Sequence, residues 1–157
     1  MFISSPIHGL EPFRDAAARA AAALRHEVKR SEDFGAAADT PQQARLAGVR
    51  WADAVLLLLG ARYGERQPSG LSATHEEYRE AKSRCPMLAF VQREVEREAV
   101  QQEFIDEVRG WAGGVLTGDF ASPEELQDGV SRPCMSWSSR NRPDRWTKGR
   151  WRIVPGP

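Results

Sequence analysis

A wholly apolar run in the middle of the chain most constrains the fold. Residues 54–59, Ala-Val-Leu-Leu-Leu-Leu, precede Gly60 and contain no polar side chain. Such a run is typical of a parallel strand that is buried on both faces, so helices must cover both sides of the sheet. Because ligands of open α/β sheets bind beyond the carboxyl ends of such strands, the loop after Gly60 is a candidate binding region.

Further strand and helix signals alternate along the chain. Strands are predicted at residues 2–5, 26–30, 54–59, 85–91 and 115–120. Helices are predicted at residues 13–24, 40–51, 73–83, 94–111 and 122–130, and the helices at 40 and 122 begin with capping-box patterns. This alternation predicts a flavodoxin-like three-layer α/β sandwich. Its five-stranded parallel sheet has the predicted order 2-1-3-4-5.

The charge distribution divides the 157 residues into two parts. Residues 1–130 carry 15 Lys and Arg against 21 Asp and Glu, whereas residues 131–157 carry seven against one. We therefore predict one α/β domain over 1–130 and a basic tail, rich in Trp and Pro, over 131–157. Biased polar segments rarely form their own core, so we expect the tail to be disordered or folded back. A nucleic-acid contact through its Trp and Arg side chains is the alternative.

Several classes of protein are excluded by composition. No apolar stretch is long enough to cross a membrane, and the first residues lack the pattern of a signal peptide, so a cytosolic protein is expected. Cys85 and Cys134 lie far apart, and the three histidines form no ligand motif. We expect no disulfide, no metal and no resident cofactor.

The predicted sheet order places two loops at one crevice. The crevice lies where the strand order reverses, between strands 1 and 3, so the chain after Ser5 and the chain after Gly60 should meet there. The polar residues that converge on the crevice are Ser4, Ser5, Arg62, Tyr63, Thr74 and Glu77.

Glu77 is the candidate catalytic residue. A carboxylate at the mouth of a crevice can attack or stabilise an oxocarbenium-like carbon. The alternative is structural, because Thr74 and Glu77 have the spacing of a capping box, in which Glu77 would accept a hydrogen bond from the Thr74 backbone N–H. The two roles do not exclude each other.

The other crevice residues also have structural alternatives. Arg62 can hold a phosphate or carboxylate through paired hydrogen bonds, or it can be a surface side chain. Tyr63 can stack on a base or ribose, or it can pack the loop. Ser4 and Ser5 can bind a ligand or cap the following turn.

Taken together, these segments resemble a known family, the domain of unknown function numbered 4062, a TIR-like domain often found at the N-termini of large signalling NTPases. The resemblance covers about residues 1–130. The motifs that carry it are residues 2–5 (Phe-Ile-Ser-Ser), 32–35 (Glu-Asp-Phe-Gly), 40–41 (Thr-Pro), 53 (Asp), 59–64 (Leu-Gly-Ala-Arg-Tyr-Gly) and 72–78 (Ser-Ala-Thr-His-Glu-Glu-Tyr).

The resemblance implies a function that composition and spacing do not. The family is similar to TIR domains and nucleoside 2-deoxyribosyltransferases, in which a helix-borne glutamate acts at an N-glycosidic bond. By this resemblance, Glu77 acts on NAD or a nucleoside or nucleotide, in signalling or cell defence, with NAD as a substrate rather than a cofactor. The alternative is a non-catalytic module that self-associates or recruits a protein partner.

Overall fold

The computed structural model describes residues 1–35, 39–110 and 112–140, with backbone only for 135–140. Its strands are β1 Phe2–Ser4, β2 Lys29–Arg30, β3 Val55–Leu59, β4 Met87–Gln92 and β5 Thr117–Phe120. Its helices are α1 Glu11–Ala23, α2 Pro41–Trp51, α3 Ala73–Lys82, α4 Ala99–Val108 and α5 Pro123–Arg140. All strand pairs are parallel, and the order β2-β1-β3-β4-β5 confirms the predicted fold.

The alternating side chains of β3 separate the core into two layers. Leu56 and Leu58 pack with residues of α1 and α5, whereas Leu57 and Leu59 pack with residues of α3 and α4. Ser4 of β1 is aligned with Leu57. Because side chains aligned across a parallel pair share a face, Ser4 lies on the side of the sheet that α3 covers.

Local signals explain where several helices begin. Thr40 caps α2 through the predicted capping box: its hydroxyl accepts a hydrogen bond from Gln43 N at 3.2 Å, and Gln43 Oε1 accepts one from Thr40 N at 3.0 Å. α4 begins later than predicted, at Ala99 rather than near residue 94. Glu94 has a φ of 58°, which is incompatible with a right-handed helix at that point.

The last helix continues past the predicted boundary at residue 130. α5 extends to Arg140, and its apolar stripe continues beyond the predicted boundary: Leu126, Val130 and Cys134, four residues apart, are all fully buried against the core that includes α1. Residues 141–157, which hold most of the predicted tail, lie outside the described residues. Within the described chain, no helix is both long and apolar enough to cross a membrane.

Candidate functional site

The crevice predicted between β1 and β3 is a cavity of about 530 Å³. Its lining includes Ser5, Arg45, Arg62, Thr74 and Glu77, which come from the loops after β1 and β3 and from helices α2 and α3. The carboxyl ends of two neighbouring strands thus open into one cavity, as the reversal of strand order requires.

Glu77 lies on α3 and lines the cavity, and only 4% of the residue is exposed. Its Oε2 accepts a hydrogen bond of 2.6 Å from the Ser4 hydroxyl. The capping-box hypothesis for Thr74 and Glu77 is wrong, because Ser72 is the N-cap and its Oγ accepts the hydrogen bond from His75 N. The Glu77 carboxylate is therefore not used to cap the helix.

Burial raises the pKa of Glu77 to about 7. The hydrogen bond from Ser4 and the positive charges of Arg45 and Arg14 oppose this effect by stabilising the carboxylate. Near neutral pH the side chain is therefore divided between its acid and carboxylate forms, a property often found at reactive carboxyl groups.

Ser4 and Ser5 have different positions relative to the cavity. Ser4 is fully buried and does not line the cavity, but its hydroxyl donates a hydrogen bond to Glu77, which does. Ser5 lines the cavity directly. The Ser5 hydroxyl donates to the Pro6 carbonyl at 2.9 Å and accepts from the buried guanidinium of Arg14. Arg14 in turn pairs with Glu32, so α1 and the segment after β2 hold the Ser5 loop in place.

Arg62 is more exposed than Tyr63, the other candidate site residue of the loop after β3. Its side chain is 68% exposed, and its Nε lies 3.8 Å from Glu98 Oε1 at the edge of the cavity. Glu98 also accepts a hydrogen bond from Tyr63 N at 2.9 Å, so this carboxylate fixes the loop that carries Arg62.

Tyr63 is buried, and its hydroxyl belongs to a chain of hydrogen bonds. It accepts from Ser72 N at 3.2 Å and lies 2.8 Å from His75 Nδ1, while His75 Nε2 lies 3.0 Å from Glu107 Oε2. The simplest assignment has Tyr63 donating to Nδ1 and Nε2–H donating to Glu107. Burial lowers the pKa of His75, against the opposing charge of Glu107, which fits this neutral ring. Tyr63 therefore positions the first turn of α3.

Thr74 is buried and lines the cavity as the second residue of α3. The structure thus places Ser5, Arg62, Tyr63, Thr74 and Glu77 around one cavity, with Ser4 directly behind Glu77.

Sequence reasoning missed Arg14, Arg45 and Glu98. For Arg14 a signal existed: it follows Leu10 by four residues and precedes Ala17 and Ala21 on the buried stripe of α1, where a charge requires a specific partner. Arg45 and Glu98 lie in polar segments, and only the tertiary fold brings them to the cavity.

Comparisons with known proteins give a family and one structure of similar fold. The family described as "Domain of unknown function (DUF4062)" matches residues 1–135. The flavodoxin-like domain of a Synechococcus sp. protein is similar in structure, with a TM-score of 0.56 and 10% identity over 88% of this chain and 92% of that one. Oxidised flavodoxin 2 of Bacillus cereus gives a TM-score of 0.44 with 14% identity, over 88% of this chain and 96% of that one. No curated protein matches the sequence.

Proposed function

The chain belongs to the DUF4062 family, and from this premise we propose that it cleaves the N-glycosidic bond of NAD or a related nucleotide. We propose cytosolic signalling or cell defence as its setting, because the motifs resemble those of TIR-like domains. The observation that carries the proposal is the Glu77 carboxyl group, buried in the cavity and held by Ser4 rather than used as a helix cap.

The number of buried carboxyl groups favours a particular leaving group. Three carboxylates line the described cavity, and Glu65 and Glu98 are exposed, which leaves Glu77 as the buried one. Most glycosidases need a second carboxyl group to protonate the leaving group. A pyridinium base such as nicotinamide needs no proton, because its ring nitrogen is already cationic. It leaves as a neutral molecule with the electron pair of the C1′–N bond.

In the proposed reaction the ionised Glu77 either stabilises the positive charge that develops at C1′ as that bond breaks, or forms an ester bond to C1′. Water then adds to C1′, which breaks any such ester bond and restores the carboxylate. The added water releases one proton to solvent and leaves the free sugar hydroxyl. The Ser4 hydroxyl orients the carboxylate, and its hydrogen bond favours the ionised form.

The test is release of nicotinamide from NAD by the full chain, followed by chromatography. Glu77→Gln keeps the size and the hydrogen bond to Ser4 but removes the charge, and we expect a rate at least about a hundredfold lower. The control is Glu103→Gln, which changes an exposed carboxylate on α4 and should leave the rate unaltered. Equal rates for wild type and Glu77→Gln would contradict the proposal, as would absence of release by the wild type.

One observation favours a second function, assembly without catalysis. Trp51, at the end of α2, is 83% exposed. A large exposed aromatic side chain is a common anchor of protein interfaces. If the protein functions by assembly, analytical ultracentrifugation should show concentration-dependent association. Trp51→Ala should abolish this association, and Glu77→Gln should leave it unchanged.

A further inference from the structure

Arg45 differs from the other buried or partly buried arginines of the described chain. Arg14 pairs with Glu32, Arg30 pairs with Asp15, and Arg97 donates to the Gln92 carbonyl. Arg45 is also partly buried and lines the cavity, yet no hydrogen bond or ion pair holds it within the described residues. A guanidinium that is partly removed from water without a partner is available for an anionic ligand.

Arg45 and Glu77 line the same cavity. The positive charge of Arg45 acts on Glu77, but the two side chains form no ion pair with each other. The two side chains therefore face the same cavity without neutralising each other. A ligand between them can place an electrophilic carbon at Glu77 and an anionic group at Arg45.

A second set of donors lies in the same cavity. Ala73 and Thr74, which line it, are the first two residues of α3. The N-cap Ser72 accepts the hydrogen bonds of the next two residues, from His75 N to its Oγ and from Glu76 N to its carbonyl. In the described structure the N–H groups of Ala73 and Thr74 have no acceptor, and they lie at the positive end of the helix dipole.

We propose that Arg45 binds the 5′-phosphate of the substrate and makes the site select nucleotides over free nucleosides. The ribose then spans the cavity, with C1′ beside Glu77 and the phosphate at Arg45. Arg62 contributes less, because it is 68% exposed and its charge is offset by Glu98 at 3.8 Å. This inference rests on the proposed function, and it names the class of substrate for the same cavity.

The first experiment measures binding of inorganic pyrophosphate to the full chain by calorimetry, which requires no turnover. Arg45→Ala should weaken binding at least about tenfold, and Arg45→Lys should weaken it less, because Lys keeps the charge but loses the paired hydrogen bonds. The control is Arg19→Ala, an exposed arginine of α1 that should have no effect. Equal binding by wild type and Arg45→Ala, with both folded by circular dichroism, would overturn the inference.

The second experiment compares turnover of nicotinamide mononucleotide and nicotinamide riboside, which differ only in the 5′-phosphate. Wild type should prefer the nucleotide at least about tenfold in kcat/KM, and Arg45→Ala should remove the preference. Equal turnover of both would overturn the phosphate site while the glycosidic reaction stands. Arg45-dependent pyrophosphate binding without turnover of either substrate would instead support the phosphate site and contradict the proposed reaction.

Discussion

Replacing Glu77 with Gln should stabilise the protein, and the gain should grow with pH. Folding raises the pKa of Glu77 from 4.5 to about 7. Between these two pH values the folded protein therefore keeps a proton on Glu77 that the unfolded chain has released. Wild-type stability therefore falls as pH rises between these two values. At about 1.4 kcal/mol per pKa unit, the free energy of unfolding of wild type should be about 3 kcal/mol lower above pH 7 than at a pH where Glu77 is protonated in both states.

Gln is the matched substitution, because it has the shape of a protonated glutamate and its carbonyl can accept the hydrogen bond from Ser4. We expect Glu77→Gln to exceed wild type by about 1 kcal/mol in free energy of unfolding at pH 5 and by about 3 kcal/mol at pH 8. Urea unfolding followed by circular dichroism at both pH values measures this difference.

The control again is Glu103→Gln, because its exposed carboxylate stays in contact with water in both states. Its difference from wild type should be near zero at both pH values. If the Glu77→Gln difference is the same at pH 5 and pH 8, Glu77 is well solvated, and the argument for a reactive carboxyl group in a protected cavity is refuted.

The structure supports three further predictions. If Glu77 acts as a carboxylate, kcat/KM should increase with pH and level off above a midpoint of about 7 in a pH profile; a decrease through that range would indicate an acid instead. Tyr63→Phe leaves His75 Nδ1 and the Ser72 N–H without their partner, so denaturant unfolding should show a loss of about 1–3 kcal/mol, and no loss would contradict the hydrogen-bond chain. Thr40→Ala removes the cap of α2 and should lower the free energy of unfolding by about 1 kcal/mol in the same assay, whereas an unchanged midpoint would mean that the cap is not formed in solution.

The fold could be predicted because its main signals are local. The apolar run of β3 and the capping box at Thr40 depend on neighbouring residues alone. The extent of α5 was underestimated, because charge composition suggested a boundary at residue 130, whereas the buried stripe continues to Cys134.

The details of the site depended on contacts between distant parts of the chain. The sequence pattern favoured Thr74 as the N-cap of α3, whereas the structure has Ser72 in that position. The Ser72 N–H donates to the Tyr63 hydroxyl, nine residues earlier in the same loop, and the sequence pattern does not show this contact. Arg45 is one of four polar residues of α2, and only the packing of α2 beside α3 brings it to the cavity.

The register of the short strand β1 against β3 determines whether Ser4 can contact Glu77, the proposed catalytic residue. Ser4 reaches Glu77 only because it is aligned with Leu57, and neighbouring strand residues point to opposite faces. A shift of β1 by a single residue would direct Ser4 toward α1 and leave the glutamate without its hydroxyl donor. Measuring turnover would then be a sensitive way to detect misaligned strands, including those in which the helices form normally.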